Sequence, residues 1–301
     1  MALIGTLSSG VSALKVFTKD LEVIGDNIAN VNTTAFKSSK VSISDDFSNT
    51  LRASQPGNGG SISNVQAAQI GSGVKLAGIT VNYNQGALST TGQGTDLGIS
   101  GEGYFLVKDG NGSVFATRSG SFRWDDQGYL VNSQGMRVQG LTGNSTTPPT
   151  TNVGDIQRDT AALASTATLQ SISIDRGGNI VQFYSDGTNA TVGQIMLQQF
   201  NQTSSLMKRG DGLYTSLTNA GPKGADGIFT TAATVTTAAD YQAGGAGGAG
   251  TVEAGTLELS NVDLTEQFAN MITAQRSFQA ASRLVTVSDS MLEEIVNLKR
   301  S

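Results

Sequence analysis

Both ends of the chain carry a seven-residue apolar repeat that its middle lacks. Leu7, Leu14, Leu21 and Ile28 stand seven apart near the start, and Leu3, Phe17, Ile24 and Val31 fill a second row whose one gap is Gly10. Steps of three and four put all of them on one stripe of a helix. Near the other end Leu264, Met271, Phe278, Val285 and Leu292 repeat the spacing, while Phe268, Ala274, Ala281, Ile295 and Leu298 widen the face. Neither segment holds a Pro, and Ser260 and Asn261 offer N-cap oxygens where the second helix should begin. Such helices can simply cover a globular core. Their position at both extremities, and the small or polar seam residues Gln275, Ser282 and Asp289, suit contact with other helices better. The expectation is an N- and a C-terminal helix pairing as a coiled coil.

Between the helices the period falls to two. Residues 79–83, 104–107, 113–118, 171–174, 180–184 and 193–197 alternate apolar and polar residues as strands do. Asp109-Gly110-Asn111-Gly112, Asp126-Gln127-Gly128, Arg176-Gly177-Gly178-Asn179 and Asp186-Gly187 separate them with tight-turn chemistry. The intervals are too short for crossover helices, so the strands are expected to be antiparallel. The fold class read from this pattern is mixed α and β, a mainly antiparallel β domain between two helices. The expected divisions are an N-terminal helix over 1–35, a Gly/Ser-rich linker region over 36–75, a β domain over 76–255 and a C-terminal helix over 256–301. Loop insertions are expected near 142–168 and 229–250, the latter containing Gly244-Gly245-Ala246-Gly247-Gly248, and a flexible link over 53–64.

Composition narrows the chemistry. The 301 residues include no Cys and no His, which removes thiolate nucleophiles, ordinary zinc sites and His-based general bases. A net charge of −5 argues against a partner that is nucleic acid. No apolar run approaches a membrane span, and no Lys or Arg precedes Lys15 as a cleaved signal peptide would need, so neither membrane insertion nor a cleaved leader is expected. Ser12-x-x-Lys15 and Ser205-x-x-Lys208 match a Ser–Lys nucleophile spacing without the elements that accompany it. Gly71-x-Gly73 and Gly101-x-Gly103 read as turns rather than dinucleotide-binding fragments. Asp109, Asn111, Asp125 and Asp126 lack the twelve-residue calcium-loop pattern. No catalytic, metal or cofactor-binding residues and no cofactor are assigned, and the chain is read as not an enzyme.

Two segments carry more specific information. The first helix closes in Asn27-Ile28-Ala29-Asn30-Val31-Asn32-Thr33-Thr34-Ala35-Phe36-Lys37, where Asn side chains can bond backbone or a neighbouring chain and Phe36 can anchor the turn. The second helix is preceded by Leu257-Glu258-Leu259-Ser260-Asn261-Val262-Asp263. These segments resemble the amino- and carboxy-terminal signatures of the bacterial flagellar rod and hook proteins, the axial proteins of the basal body. Asp96-Leu97-x-Ile99-Ser100-x-x-Gly103-Tyr104-Phe105 and Phe115-x-x-Arg118-x-Gly120-x-Phe122 resemble that family's central strands. Gly73–Thr80, Ser44–Phe47 and Leu130–Met136 resemble its hook members more than its distal rod member, although the chain is short for a hook protein.

The resemblance implies a structural subunit of the flagellar hook that assembles head-to-tail with itself into a helical tube transmitting motor torque. It implies as neighbours the distal rod, the hook–filament junction and the hook cap. It also implies type III export without a cleaved signal peptide, and a place on the cell exterior. A distal rod subunit is the alternative within the family. A secreted β-domain adhesin with oligomerising helices is the alternative outside it. The assembly face is expected on Leu7, Leu14, Phe17, Leu21, Ile24, Ile28 and Val31 of the first helix and Leu264, Phe268, Met271, Phe278, Val285, Leu292 and Ile295 of the second. Asn27, Asn30, Thr33, Phe36, Lys37, Ser260, Asn261, Val262 and Asp263 are the family-motif residues. An isolated helix pair buries only part of its seam, so the ends are expected to be loosely ordered until copies assemble.

Overall fold

In a computed structural model the chain is described over residues 2–54, 66–145, 153–158, 168–223, 242–245 and 247–298. It divides into two compact units. The first comprises Met1–Val31, Ser38–Asn82 and Val262–Ser301, and the second Asn32–Lys37 and Tyr83–Asn261.

The first unit holds both long helices, α1 (Ala2–Ala29) and α2 (Leu264–Leu298). They lie side by side and antiparallel: Thr6 meets Ser288 at one end and Asn27 meets Gln267 at the other. The absence of Pro lets each run unbroken. Between the helices in sequence come β1 (Ser39–Asp45), β2 (Ser48–Arg52), β3 (Ala68–Gly71) and β4 (Val74–Val81). β1 pairs β4 and β2 pairs β3, both antiparallel, with a register shift at Ser42/Ile43. The stretch 36–75, expected as a linker, therefore carries paired strands on both sides of the segment 53–64. Val41 and Ile43 alternate with polar residues along β1. Of that segment, residues 55–64 lie outside the described residues.

The second unit is built of strands β5 (Leu88–Thr90), β6 (Leu97–Ser100), β7 (Tyr104–Lys108), β8 (Val114–Thr117), β9 (Phe122–Trp124), β10 (Leu130–Asn132) and β11 (Arg137–Ser145). They continue as β12 (Val153–Asp155), β13 (Leu169–Ile174), β14 (Asn179–Tyr184), β15 (Asn189–Phe200), β16 (Met207–Gly210) and β17 (Leu213–Thr215). The last are β18 (Pro222–Lys223), β19 (Gln242–Ala243), β20 (Thr251–Ala254) and β21 (Thr256–Glu258). The main sheet runs β13-β14-β15-β11-β7-β8-β17-β16, and β20–β6 and β21–β5 form separate pairs. Every strand pairing among the described residues is antiparallel. Mixed α and β with a mainly antiparallel middle is thus the observed class.

The sheet is covered on both faces. Along β7, Phe105 and Val107 enter one apolar cluster, and Tyr104 and Leu106 enter another. Along β15, Ile195 and Leu197 join the first cluster and Met196 and Phe200 the second. Alternate side chains of a strand point to opposite faces, so two clusters sharing these strands make a core on each side. The two insertions are partly structured: β12 falls within 142–168, and Ala249 near the end of 229–250 is buried in the first cluster. Residues 146–152, 159–167, 224–241 and Ala246 lie outside the described residues.

Candidate functional site

With no Cys or His to organise chemistry, the candidate functional surface is the helix pair and the motif segments that end it. On α1 the expected face packs inward: Ile24 is buried, and Leu7, Leu14, Phe17, Leu21, Ile28 and Val31 are half-buried. Gly10, the gap in the repeat, lies against α2. A Cβ there would stand 2.8 Å from Val285 and 3.1 Å from Leu284.

On α2 the seam differs from the expected one. Gln267, Ala274, Ala281 and Ser288, seven apart, are the buried residues of that helix. Met271, Val285 and Leu292 are half-buried beside them, whereas Leu264, Phe268, Phe278 and Ile295 are exposed. Gln275 and Asp289 are exposed too, and Ser282 is half-buried. Small or hydrogen-bonding residues in that row let the two helices pack closely, and at Gly10 the missing side chain makes room for Val285 and Leu284. Phe268 and Ile272 form one outward patch, at 49 % and 53 % exposure, and Leu284, Val287, Met291 and Ile295, three or four apart, form a second.

The amide of Asn27 holds the end of the seam. Its Nδ2 donates to Ser39 O at 2.8 Å and to Gln267 Oε1 at 3.0 Å, and its Oδ1 accepts from Ser39 N–H at 2.9 Å. A buried amide saturated in this way fixes where the chain leaves α1; losing it strands its partners at roughly 1–3 kcal/mol. Asn30 Nδ2 turns back on Asp26, donating to its backbone and side-chain oxygens at 2.9 Å each. Ser9 Oγ donates to Ser72 O, and Val74 N–H donates to Ser12 Oγ, so Ser12 of the Ser–Lys spacing braces a turn. α2 is capped by Asp263, whose Oδ1 accepts from Thr265 and Glu266 N–H at 2.8 and 3.3 Å, rather than by Ser260 or Asn261.

Apart from Val262, the remaining motif residues belong to the second unit. Thr33 O accepts from Phe36 N–H, and the Phe36 ring lies 4.7 Å under the Lys208 ammonium rather than in a purely apolar pocket. Asn261 donates through its backbone to Phe36 O at 3.2 Å and through Nδ2 to Asn84 O at 2.9 Å. Val262 is half-buried in the first unit. Lys37 Nζ, buried, donates to Glu258 Oε1 at 2.6 Å, and Arg118 Nη1 donates to Glu258 Oε2 at 3.2 Å. Burial pushes the Lys37 pKa down, and the hydrogen bond and charge of Glu258 oppose that shift. Arg118 and Glu258 were not among the expected site residues. They stand inside motif segments, but no local spacing announces a pairing over 221 residues.

The acidic turn residues do turn work: Asp109 Oδ1 accepts from Gly110 N–H and Asp125 Oδ1 from Asp126 N–H. Among the described residues no group of His, Cys, Asp or Glu is arranged to hold a metal ion. Nor is any helix there long and apolar enough to cross a membrane.

Three family profiles match the chain: flagella basal body rod protein over residues 7–37, the flagellar hook protein FlgE/F/G D1 domain over 98–182, and the flagellar basal body rod FlgEFG protein C-terminal domain over 253–298. The flagellar basal-body rod protein FlgG of Bacillus subtilis (strain 168) is 36 % identical over 295 residues, covering 98 % of this chain and 99 % of that protein. The chain belongs to the flagellar rod and hook protein family. A second relative is the flagellar hook protein FlgE of Treponema pallidum (strain Nichols), 25 % identical over 478 aligned positions that cover 98 % of this chain and 99 % of that one. The FlgG of Buchnera aphidicola subsp. Schizaphis graminum is 30 % identical over 281 residues, covering 93 % of this chain and 94 % of that one. The rod and hook profiles fall on the elements described above: the first covers most of α1 through Lys37, and the last runs from β20 to the end of α2.

Proposed function

We propose that the chain is a structural subunit of the flagellar hook, joining head-to-tail with its own copies into a helical tube that carries motor torque. The observation that carries the assembly part is the outward apolar surface of α2. A helix that keeps small residues for its partner in the same chain and leaves Phe268, Ile272, Val287 and Met291 in solvent has a second face to bury. Burying each such side chain contributes roughly 1.5 kcal/mol, and one repeated contact between identical copies multiplies it along a tube. In this reading α1 and α2 supercoil as a coiled coil in the tube's inner layer. The ends gain their full order on assembly. The partners are further copies, the distal rod, the hook–filament junction and the hook cap. In this reading the exported subunit lies outside the cell.

Support for the hook comes from the hook-like segments Gly73–Thr80, Ser44–Phe47 and Leu130–Met136. One observation favours a distal rod subunit instead: the 36 % identity to a rod protein of matching length. Electron microscopy of the purified protein under polymerising conditions separates the two. Curved or supercoiled tubes are expected; straight rods would assign the chain to the rod. A chain that stays monomeric at every concentration, with both helices fully protected from amide exchange, would end the assembly reading altogether.

A further inference from the structure

Within the second unit, segments far apart in sequence are tied to one buried carboxylate. Glu258 accepts at Oε1 from Lys37 Nζ (2.6 Å) and Gly86 N–H (2.9 Å), at Oε2 from Arg118 Nη1 (3.2 Å), and at its backbone oxygen from Ala35 N–H (2.8 Å). The side chains of Lys37 and Glu258 are 1 % and 0 % exposed and that of Arg118 is 6 % exposed. Lys37 Nζ also donates to Asn84 O, and Arg118 Nη2 to Gly101 O. Gly86 has no side chain because the Leu259 carbonyl occupies the space a Cβ would need, so this end segment lies directly on the 84–88 backbone.

The cluster holds two cations and one anion. Take away Glu258 and two positive charges remain buried without a counter-charge, an arrangement far costlier than leaving the site open to water. Glu258 lies only three residues before the second unit ends, at Asn261, and all the other strands of that unit precede β21. We infer that Glu258 is a closure latch: the second unit closes its core only when residues 256–261 dock on residues 35–37 and 84–88. Chains are made from the amino terminus. The β-rich unit therefore stays open until the chain is nearly complete, and a chain broken off before Glu258 presents no closed unit for assembly. The latch is independent of whether the subunit belongs to hook or rod.

Amide hydrogen exchange on full-length chains tests it. In Glu258→Gln, protection through β7, β8 and β15 should fall at least about a hundredfold, because loss of the latch opens the whole unit. Lys37→Met should cost less, since Arg118 still pairs with Glu258. In Lys37→Met/Glu258→Gln only one cation is unpaired, and protection should recover about tenfold over Glu258→Gln alone. Loss confined to β5 and β21, or a double variant exchanging as fast as Glu258→Gln, overturns the latch. If Glu258→Gln yields no folded protein the double variant decides: a folded double variant supports the charge argument, and one that also fails to fold overturns it.

Discussion

β15 and α2 use apolar residues in opposite ways. β15 is buried along both faces, its alternate side chains divided between two clusters, and everything apolar on it is satisfied within one chain. α2 buries a line of Gln, Ala and Ser and shows Phe268, Ile272, Val287 and Met291 to solvent. The second unit is folded for itself, whereas the helix pair keeps its apolar surface for something else. In the proposed assembly the intersubunit contact uses that helical surface.

The sharpest way to break the comparison is to truncate one aromatic on each side. Phe105 is fully buried, and Phe105→Ala should cost the second unit about 3–5 kcal/mol in denaturant unfolding. Phe268→Ala, at a half-exposed position, should change the unfolding of the free chain by less than about 0.5 kcal/mol. Equal losses at the two positions would show that α2 has no free face. Next in size is Ile272→Ser with Val287→Ser. At about 1.5 kcal/mol per side chain buried on assembly, the pair should raise the concentration needed for polymerisation at least tenfold, read by sedimentation, with the thermal midpoint of the free chain unchanged.

The second unit should also fail alone at alkaline pH. Burial raises the pKa of Tyr104 and Tyr214 above the ordinary 10.0. Above that value the unfolded chain loses protons that the folded chain keeps, so stability falls as pH rises, by about 1.4 kcal/mol per pH unit for each tyrosine. Lys37 acts the other way up to its ordinary 10.5, since burial lowers its pKa, but it is one group against three, because burial raises the Tyr83 pKa as well. Denaturant midpoints between pH 9 and 11 should drop for the native chain and drop less for Tyr104→Phe/Tyr214→Phe. An unchanged slope in the double variant would remove these tyrosines as the cause.

Much of the second unit was legible because half-buried strands alternate. β13 and β14 lie within two residues of their expected spans. β15 was read as residues 193–197 but runs Asn189–Phe200, because a strand buried on both faces, with Gln at several inward positions, loses the alternation that marks its ends. On α2 the heptad count follows hydrophobicity, and of the residues it places on that face Ala274 and Ala281 are the buried ones. The true seam of Gln267, Ala274, Ala281 and Ser288 is nearly silent on any apolar scale. Gly10 was its visible trace, an interruption in one helix that marks where the other comes close. The cluster of Lys37, Arg118 and Glu258 had no trace of this kind, since long-range ion pairs leave no period.

Two glycines of α1 give the smallest and most exact test of that seam. Gly10 faces Val285 and Leu284, while a Cβ at Gly25 would meet nothing within 4 Å. In a helix interior Ala is better than Gly by about 0.8–1 kcal/mol. Gly25→Ala should therefore stabilise the free chain by up to about that amount, seen as a small rise in thermal midpoint. At Gly10 the same propensity gain meets a stiff β-branched neighbour, and the larger Gly10→Leu must push the axes apart at about 1–3 kcal/mol. The opposite signs follow from geometry alone, since both positions lie inside the same helix. If Gly10→Leu were as harmless as Gly25→Ala, the helices would not meet where the small residues of α2 are buried, and its apolar patches would lose their claim to face another copy.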